Sequence, residues 1–316
     1  MSKYDLSGIV TDIKKRFAKE PRRAAKVGLG SAMRKLTDSD FIIMPEWWSS
    51  PDGTNTKGIA LGRITMLAGD SDSGKTSGCI VAMKAALEQG CIVIYVETES
   101  KTTPKDLAEW GVDPDQVILI QSTIAEEAFE LMFDAWDHAK DKYPDAKLLV
   151  IFDSLGNTVS LRDSEIDLIE QSQRPGGKGA INRLAISKLV AKKDEDNAAI
   201  LFVNYTYDNI GSAGKTNAGG KAVNFFSSLT YQTTRVKWLE KEQGGRTIRI
   251  GARVAWKLYK NHIDKSNPGP KEVVLDITAE GVKLYKPEKK KEEAKGKSRF
   301  KKKRETKPTP EEVQDA

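Results

Sequence analysis

Apolar positions along the chain follow two rhythms. Over residues 5–19, Leu6, Ile9, Val10, Ile13 and Phe17 recur at spacings of one, three and four. That spacing lines one face of a helix, and Pro21 stops its continuation. From Gly62 onward, short unbroken apolar runs alternate with longer amphipathic stretches. "RITMLAG", "CIVIYVE", "QVILIQS", "AKLLVIFDS" and "AAILFVN" read as strands. "KTSGCIVAMKAALEQG", closed by Gly90, Pro104 to Trp110, Ala125 to Lys142, and Ala180 to Lys193 read as helices between them. Strands without polar alternation, separated by helices, predict an α/β fold with a mostly parallel central sheet covered on both faces.

After Asn204 the rhythm changes. "YTYDNIGSAGKTNAGGK" reads as a Gly/Ser/Asn/Thr loop. Beyond it, "SLTYQTTRVKWLE", "RTIRIGARVAWKLYK" and "KEVVLDI" read as antiparallel strands joined by polar turns such as "EQGG". The stretch before Gly62, with "EWWSSPDGTNTKG", reads as irregular; Trp47 and Trp48 there suit either a subunit contact or packing on the core or its edge. The chain therefore divides into an N-terminal helix and linker (1–61), a core (62–285) and a tail (286–316). The tail has few apolar residues and many charges, and is expected to be disordered.

Composition sharpens this organisation. With 316 residues and 39% hydrophobic content there is material for one large or two small domains. No run of about 18 apolar residues occurs, the first residues lack the apolar stretch of a signal peptide, and a cytoplasmic protein is expected. The net charge of +6 is unevenly spread: Lys283 to Lys307 hold 13 Lys and Arg against 4 Glu, while the last nine residues carry −3. Residues 1–282 are thus neutral, and the basicity sits in the tail. Such a polycation suits DNA phosphates, an acidic partner protein, or solubility alone. Cys79 and Cys91 lie in expected buried elements without metal-ligand spacing and read as core residues.

The candidate chemistry begins at "GDSDSGKTS", Gly69 to Ser77, between a strand and a helix. This is the context that the GxxxxGK[ST] pattern requires. Gly69 and Gly74 let the loop turn, the N–H groups of Asp70, Ser71, Asp72, Ser73 and Ser77 are placed around phosphates, Lys75 brings a cation, and Thr76 a hydroxyl for Mg²⁺. Asp153 closes "LLVIFD" as the second support for the metal. "YVETES" places Glu97 and Glu99 two apart, on one face of a strand, where either could act as general base or be a solvated strand end. No Asn-Lys-x-Asp guanine reader occurs, so ATP is favoured over GTP.

Taken together, "ETES", "TPKDLAEWGVD", "IFDSLGN", a strand ending in Asn204, and a Gly-rich loop closed by "AGGKAVNFF" resemble the RecA-type recombinase core over Gly62 to Lys265. "DSLGN" and "NYTYD" are most similar to the UvsX-like recombinases of T-even phages, and "IKKRFAKE…GLGSAMRKL" resembles that family's polymerisation helix and linker. The resemblance implies that Gly69, Lys75 and Thr76 bind ATP and Mg²⁺, that Asp153 supports the metal, and that Glu99 is the catalytic carboxylate. It also implies that Lys260 in "YKNHID" reaches a neighbour's γ-phosphate across a filament interface, as an arginine finger does. Three positions depart from the family pattern. Tyr205 replaces the usual Gln or His γ-phosphate sensor, His262 replaces a second interface cation, and Asp106 replaces the tyrosine that stacks on adenine.

The resemblance further implies two DNA loops, "RDSEIDLIEQSQRPGGKG" and "DNIGSAGKTNAGGK". Arg174, Lys178, Lys215 and Lys221 would contact phosphates, with N–H groups of Gly211, Gly219 and Gly220 beside them. Ile210 either wedges between bases or packs back on the protein. The implied function is ATP-dependent DNA strand exchange. The implied partners are single-stranded and homologous duplex DNA, copies of the chain in a helical filament, and loader or single-strand-binding proteins, in a phage-infected bacterial cytoplasm. A helicase or accessory ATPase on the same core, and a DNA-coating or annealing protein with little ATP turnover, are the alternatives.

Overall fold

Helix α1 (Leu6–Arg16) is capped by Asp5, whose carboxylate accepts the Gly8 N–H at 2.9 Å. None of its residues is buried, and Leu6 and Ile9 of the apolar stripe are more than half exposed. Pro21 opens a second short helix, α2 (Pro21–Ala25), at the position where its missing N–H is harmless. In a computed structural model of the protein, residues 5–32, 36–49, 57–165, 178–193, 196–208, 215–217, 221–263 and 271–287 are described.

The stretch expected to be irregular contains β1 (Phe41–Ile43), α3 (Glu46–Ser49) and β2 (Gly58–Ala60). The two strands pair antiparallel, Phe41 opposite Ala60. Three-residue strands carry no period to read, and burial of Ile42 and Ile59 is what holds them. Trp48 is 1% exposed, its ring 4.8 Å from Trp256 and 5.5 Å from Tyr231. It is a core residue, and Trp47 packs at the edge of the same aromatic cluster.

The alternating region forms β3 (Ile64–Gly69), α4 (Lys75–Glu88), β4 (Ile92–Glu97), α5 (Pro104–Glu109), β5 (Val117–Gln121), α6 (Ala125–Lys142), β6 (Leu148–Asp153), α7 (Leu161–Glu165), α8 (Lys178–Lys192) and β7 (Ala198–Asp208). It continues through β8 (Lys215–Asn217), α9 (Lys221–Phe226), β9 (Leu229–Gln243), β10 (Arg246–Asn261), β11 (Lys271–Thr278) and β12 (Gly281–Leu284). One sheet runs β12-β11-β10-β9-β3-β7-β6-β4-β5. From β9 to β5 every pairing is parallel, and from β9 to β12 every pairing is antiparallel. The β9–β10 turn uses Gly244 and Gly245 at φ 60° and 75°, the left-handed geometry that a tight hairpin requires.

Side-chain alternation splits the core in two. Leu67, Val93, Tyr95, Leu149 and Ile151 face α4 and the Trp48 cluster; Met66, Ile94, Val96, Val150 and Phe152 face α6 and α8. Strand β7 runs four residues past Asn204 and pairs with β8, Asp208 opposite Lys215. Residues 205–208 and 215–217 of the expected loop are therefore paired strand, because "YTYD" alternates aromatic and polar side chains with a strand's period. Cys79 and Cys91 are buried free thiols. Among the described residues, no cluster of three or more His, Cys, Asp or Glu could hold a metal, and no helix is long and apolar enough to cross a membrane.

Candidate functional site

Register brings the candidate residues to one edge. Gly69 at the end of β3 lies opposite Tyr205 of β7 and Thr233 of β9, and Glu97 at the end of β4 lies opposite Asp153 of β6. The chain order reverses at β3, which has β7 on one side and β9 on the other. In open α/β sheets, such a reversal leaves a crevice beyond the carboxyl ends of the strands. The loop Asp70–Gly74 crosses that crevice into α4.

The loop's shape depends on its glycines. A Cβ on Gly69 would lie 2.3 Å from the Thr233 carbonyl, and Gly74 has φ 85° with Ile277 only 2.4 Å from where a Cβ would stand. Ser73 joins the Asp70 carbonyl and the Thr233 hydroxyl, each at 2.7 Å. Asp70 accepts from Thr206 at 2.9 Å, which ties the loop to β7. On the outer side Arg235, whose guanidinium lies 4.2 Å from the Trp238 ring, reaches the Ser71 carbonyl and stands 3.5 Å from the Asp72 carboxylate. Sequence reasoning missed this brace, since nothing in the primary structure links β9 to the loop.

Lys75 is buried, donates to the Gly69 and Asp70 carbonyls at 3.1 and 2.6 Å, and sits 4.5 Å from the Tyr205 ring centroid. Burial lowers its pKa, although Asp153, Glu99, Asp70 and Asp72 all pull upward. The Thr76 hydroxyl donates to Asp153 Oδ2 at 2.9 Å. Burial pushes the Asp153 carboxyl up to about 6, with Glu99 and Glu97 adding to that shift and Thr76 and Lys75 opposing it. Asp153 is thus a buried acid beside a hydroxyl, whose anionic form asks for a cation.

The two glutamates separate. Strand β4 ends at Glu97, so the pair does not share one strand face. Glu97 is 3% exposed and accepts the N–H groups of Glu99 at 3.1 Å, Ser100 at 2.7 Å and Lys101 at 3.1 Å. It shapes a turn in which Ser100 has φ 54°. Glu99 faces the crevice and accepts from Lys101 Nζ, from the Tyr205 hydroxyl, and from Ser154 Oγ at 3.1 Å. Burial raises its pKa, but the bonds from Lys101, Tyr205 and Ser154 outweigh burial and hold it below the usual carboxylate range. Burial and Glu99 push the Tyr205 phenol up, so it remains a donor. Ser154 and Lys101 are additions to the expected set; "ETESK", with a lysine two residues after the carboxylate, was the available signal.

A cavity of about 430 Å³ joins the loop from Ser71 to Ser77 with Glu99, Asp153 and Tyr205. Trp110, Trp238, Ile250, Thr278 and Ala279 also line it. Asp106 borders it but is committed to a capping box: its carboxylate accepts the Thr103 N–H at 2.8 Å and the Thr103 hydroxyl at 2.6 Å.

The remaining candidates lie elsewhere. Lys260 on β10 donates to the Asn224 carbonyl at 2.7 Å, and His262 is exposed, its N–H bound to the Ser228 carbonyl. Lys178, at the start of α8, is half-buried and donates to the Gly156 carbonyl. Lys215 begins β8 and Lys221 begins α9. Arg174, Ile210, Gly211, Gly219 and Gly220 lie outside the described residues, as does the basic tail beyond Pro287.

The family described as the RecA N-terminal domain matches residues 50–283. The chain is 26% identical over 278 residues to Protein RecA of Aquifex pyrophilus, which covers 86% of this chain and 73% of that one. It is 27% identical over 233 residues to Protein RecA of Aquifex aeolicus, covering 72% of this chain and 63% of the relative. With Protein RecA of Nitratidesulfovibrio vulgaris it shares 24% over 260 residues, 80% and 68% of the two chains. The family match runs from Trp48's neighbourhood to β12, across the whole sheet rather than the phosphate loop alone. Sheet order, loop and match agree, and the chain belongs to the RecA family.

Proposed function

We propose that this protein is an ATP-dependent DNA strand-exchange recombinase that assembles as a filament on single-stranded DNA and acts in recombination and repair. One observation carries the reading. The phosphate loop, the Thr76–Asp153 pair and Glu99 converge on one cavity, and Tyr205, which touches both Lys75 and Glu99, opens the hairpin that leads into the second DNA loop. The motifs "DSLGN" and "NYTYD", which resemble those of the UvsX-like phage recombinases, support this reading.

In this reading the ATP phosphates rest on the loop's N–H groups and Lys75, and the base lies toward Trp110 and Trp238. Thr76 and Asp153 fit a magnesium ion, since a buried carboxylate with a raised pKa is stabilised by a nearby cation; the ion would neutralise phosphate charge. Glu99 takes a proton from the attacking water as the water oxygen bonds to the γ-phosphorus and the bridge to the β-phosphate breaks, releasing ADP and phosphate. Tyr205 couples that event to the DNA hairpin. Lys260 serves a neighbouring subunit's γ-phosphate, and the exposed stripe of α1 docks on an adjacent copy. The loops holding Arg174, Lys178, Ile210, Lys215 and Lys221 grip DNA through its backbone, and base pairing reads homology.

The test joins electron microscopy with and without DNA to an ATPase and strand-exchange assay. Extended filaments with DNA-stimulated hydrolysis support the reading. Closed hexamers indicate a translocating ATPase, and DNA coating with scant turnover an annealing protein. If Lys75→Ala and Glu99→Gln leave strand exchange intact, the mechanism is wrong.

A further inference from the structure

Glu99 is more heavily engaged than a general base needs to be. A carboxylate has about four lone-pair sites, and three are taken here by Lys101, Tyr205 and Ser154. Lys101 alone holds Oε2, while the two hydroxyls share Oε1. The ion pair is lopsided: the Glu99 side chain is 8% exposed and the Lys101 side chain 68%. Both residues hang from the turn that Glu97 pins through three N–H groups, so the pair is local to one short segment. Lys101 also lines the cavity that holds Lys75 and Thr76. A cation bound to one oxygen draws electron density from the carboxylate and fixes its rotamer, and both effects make it a poorer proton acceptor.

We infer that Lys101 is a positioning residue that parks Glu99 against Tyr205 and Ser154 and thereby restrains ATP hydrolysis by the unassembled chain. This inference rests on Glu99 being the hydrolytic carboxylate. The restraint is shallow because the ammonium is mostly in water, where ion pairs are weak. It is therefore reversible, and the lysine can leave without unfolding the turn.

The experiment uses the full chain and the variants Lys101→Ala, Lys101→Arg, Glu99→Gln and the double variant Lys101→Ala/Glu99→Gln. DNA-free ATP turnover and equilibrium binding of a fluorescent ATP analogue are measured for each. The expected result is a rise in DNA-free kcat of roughly 3- to 10-fold for Lys101→Ala, with nucleotide affinity unchanged. Lys101→Arg restores the low rate, and the double variant is as inactive as Glu99→Gln. Turnover equal to or below wild type in Lys101→Ala, with affinity intact, overturns the restraint while leaving Glu99 in place. A large loss of nucleotide affinity also overturns it, making Lys101 a binding residue. If Glu99→Gln itself keeps wild-type turnover, the assignment of Glu99 fails and the restraint with it.

Discussion

Asp153→Asn separates the stability of the site from its chemistry. In the folded chain the Asp153 carboxyl is held at about 6 against an ordinary value of 3.8. Because the folded pKa is the higher one, the folded state binds the proton more tightly, and stability falls as pH rises from about 4 to about 6. Above that window the charged Asp153 destabilises the nucleotide-free protein by about 3 kcal/mol, taking 1.36 kcal/mol per pKa unit. Asparagine has no such charge. Its own cost, chiefly an amide placed among carboxylates, does not depend on the ionisation of position 153 and cancels when two pH values are compared. Between about pH 5 and about pH 7.5 the variant should therefore gain on wild type by about 1.4 kcal/mol. Urea unfolding in EDTA, without nucleotide, measures the difference at both pH values. A stability gap that stays constant, or that moves the other way, refutes the account of Asp153 as a buried charge awaiting a cation. ATP hydrolysis by the variant should be lost at either pH.

Other expectations follow from single contacts. Glu97→Ala removes the acceptor of three N–H groups and should cost about 2–4 kcal/mol in chemical unfolding while lowering kcat more than nucleotide affinity, because Glu99 loses its support. Trp48→Ala opens a hole between Trp256 and Tyr231 and should cost about 3–5 kcal/mol, read as a lowered urea midpoint, although residue 48 touches no part of the nucleotide cavity. ATP binding should quench tryptophan fluorescence, and Trp110→Ala should weaken nucleotide affinity while sparing kcat at saturation.

Buried strands were legible because parallel strands covered on both faces need apolar side chains at every position, as in "ITMLAG" and "LLVIFD". The phosphate loop and Asp153 were legible because the loop's shape constrains residue type and spacing together. Glu97 and Glu99 were not separable, since period-two reasoning holds only while the strand lasts and β4 ends at Glu97. Asp106 attracts notice as a lost tyrosine, yet Thr103 and Asp106 at cap spacing show what the carboxylate does there. Lys178, expected to face DNA phosphates, lies against the Gly156 carbonyl, a contact between segments 22 positions apart that no local pattern encodes. Trp48 is a core residue for the same reason: its neighbours Tyr231 and Trp256 come from strands far along the chain.

The alignment of Gly69 with Tyr205 and Thr233, and of Glu97 with Asp153, divides the chain into parts that can change length and parts that cannot. One residue inserted within β3, β4, β6 or β7 would move everything beyond it by about 3.3 Å and turn its side chains to the opposite face. An insertion between Asp208 and Lys215, or after Tyr285, leaves these alignments untouched. The strand ends are thereby held in register while the segments outside these strands can change length, so a lineage carrying this sheet is free to lengthen them.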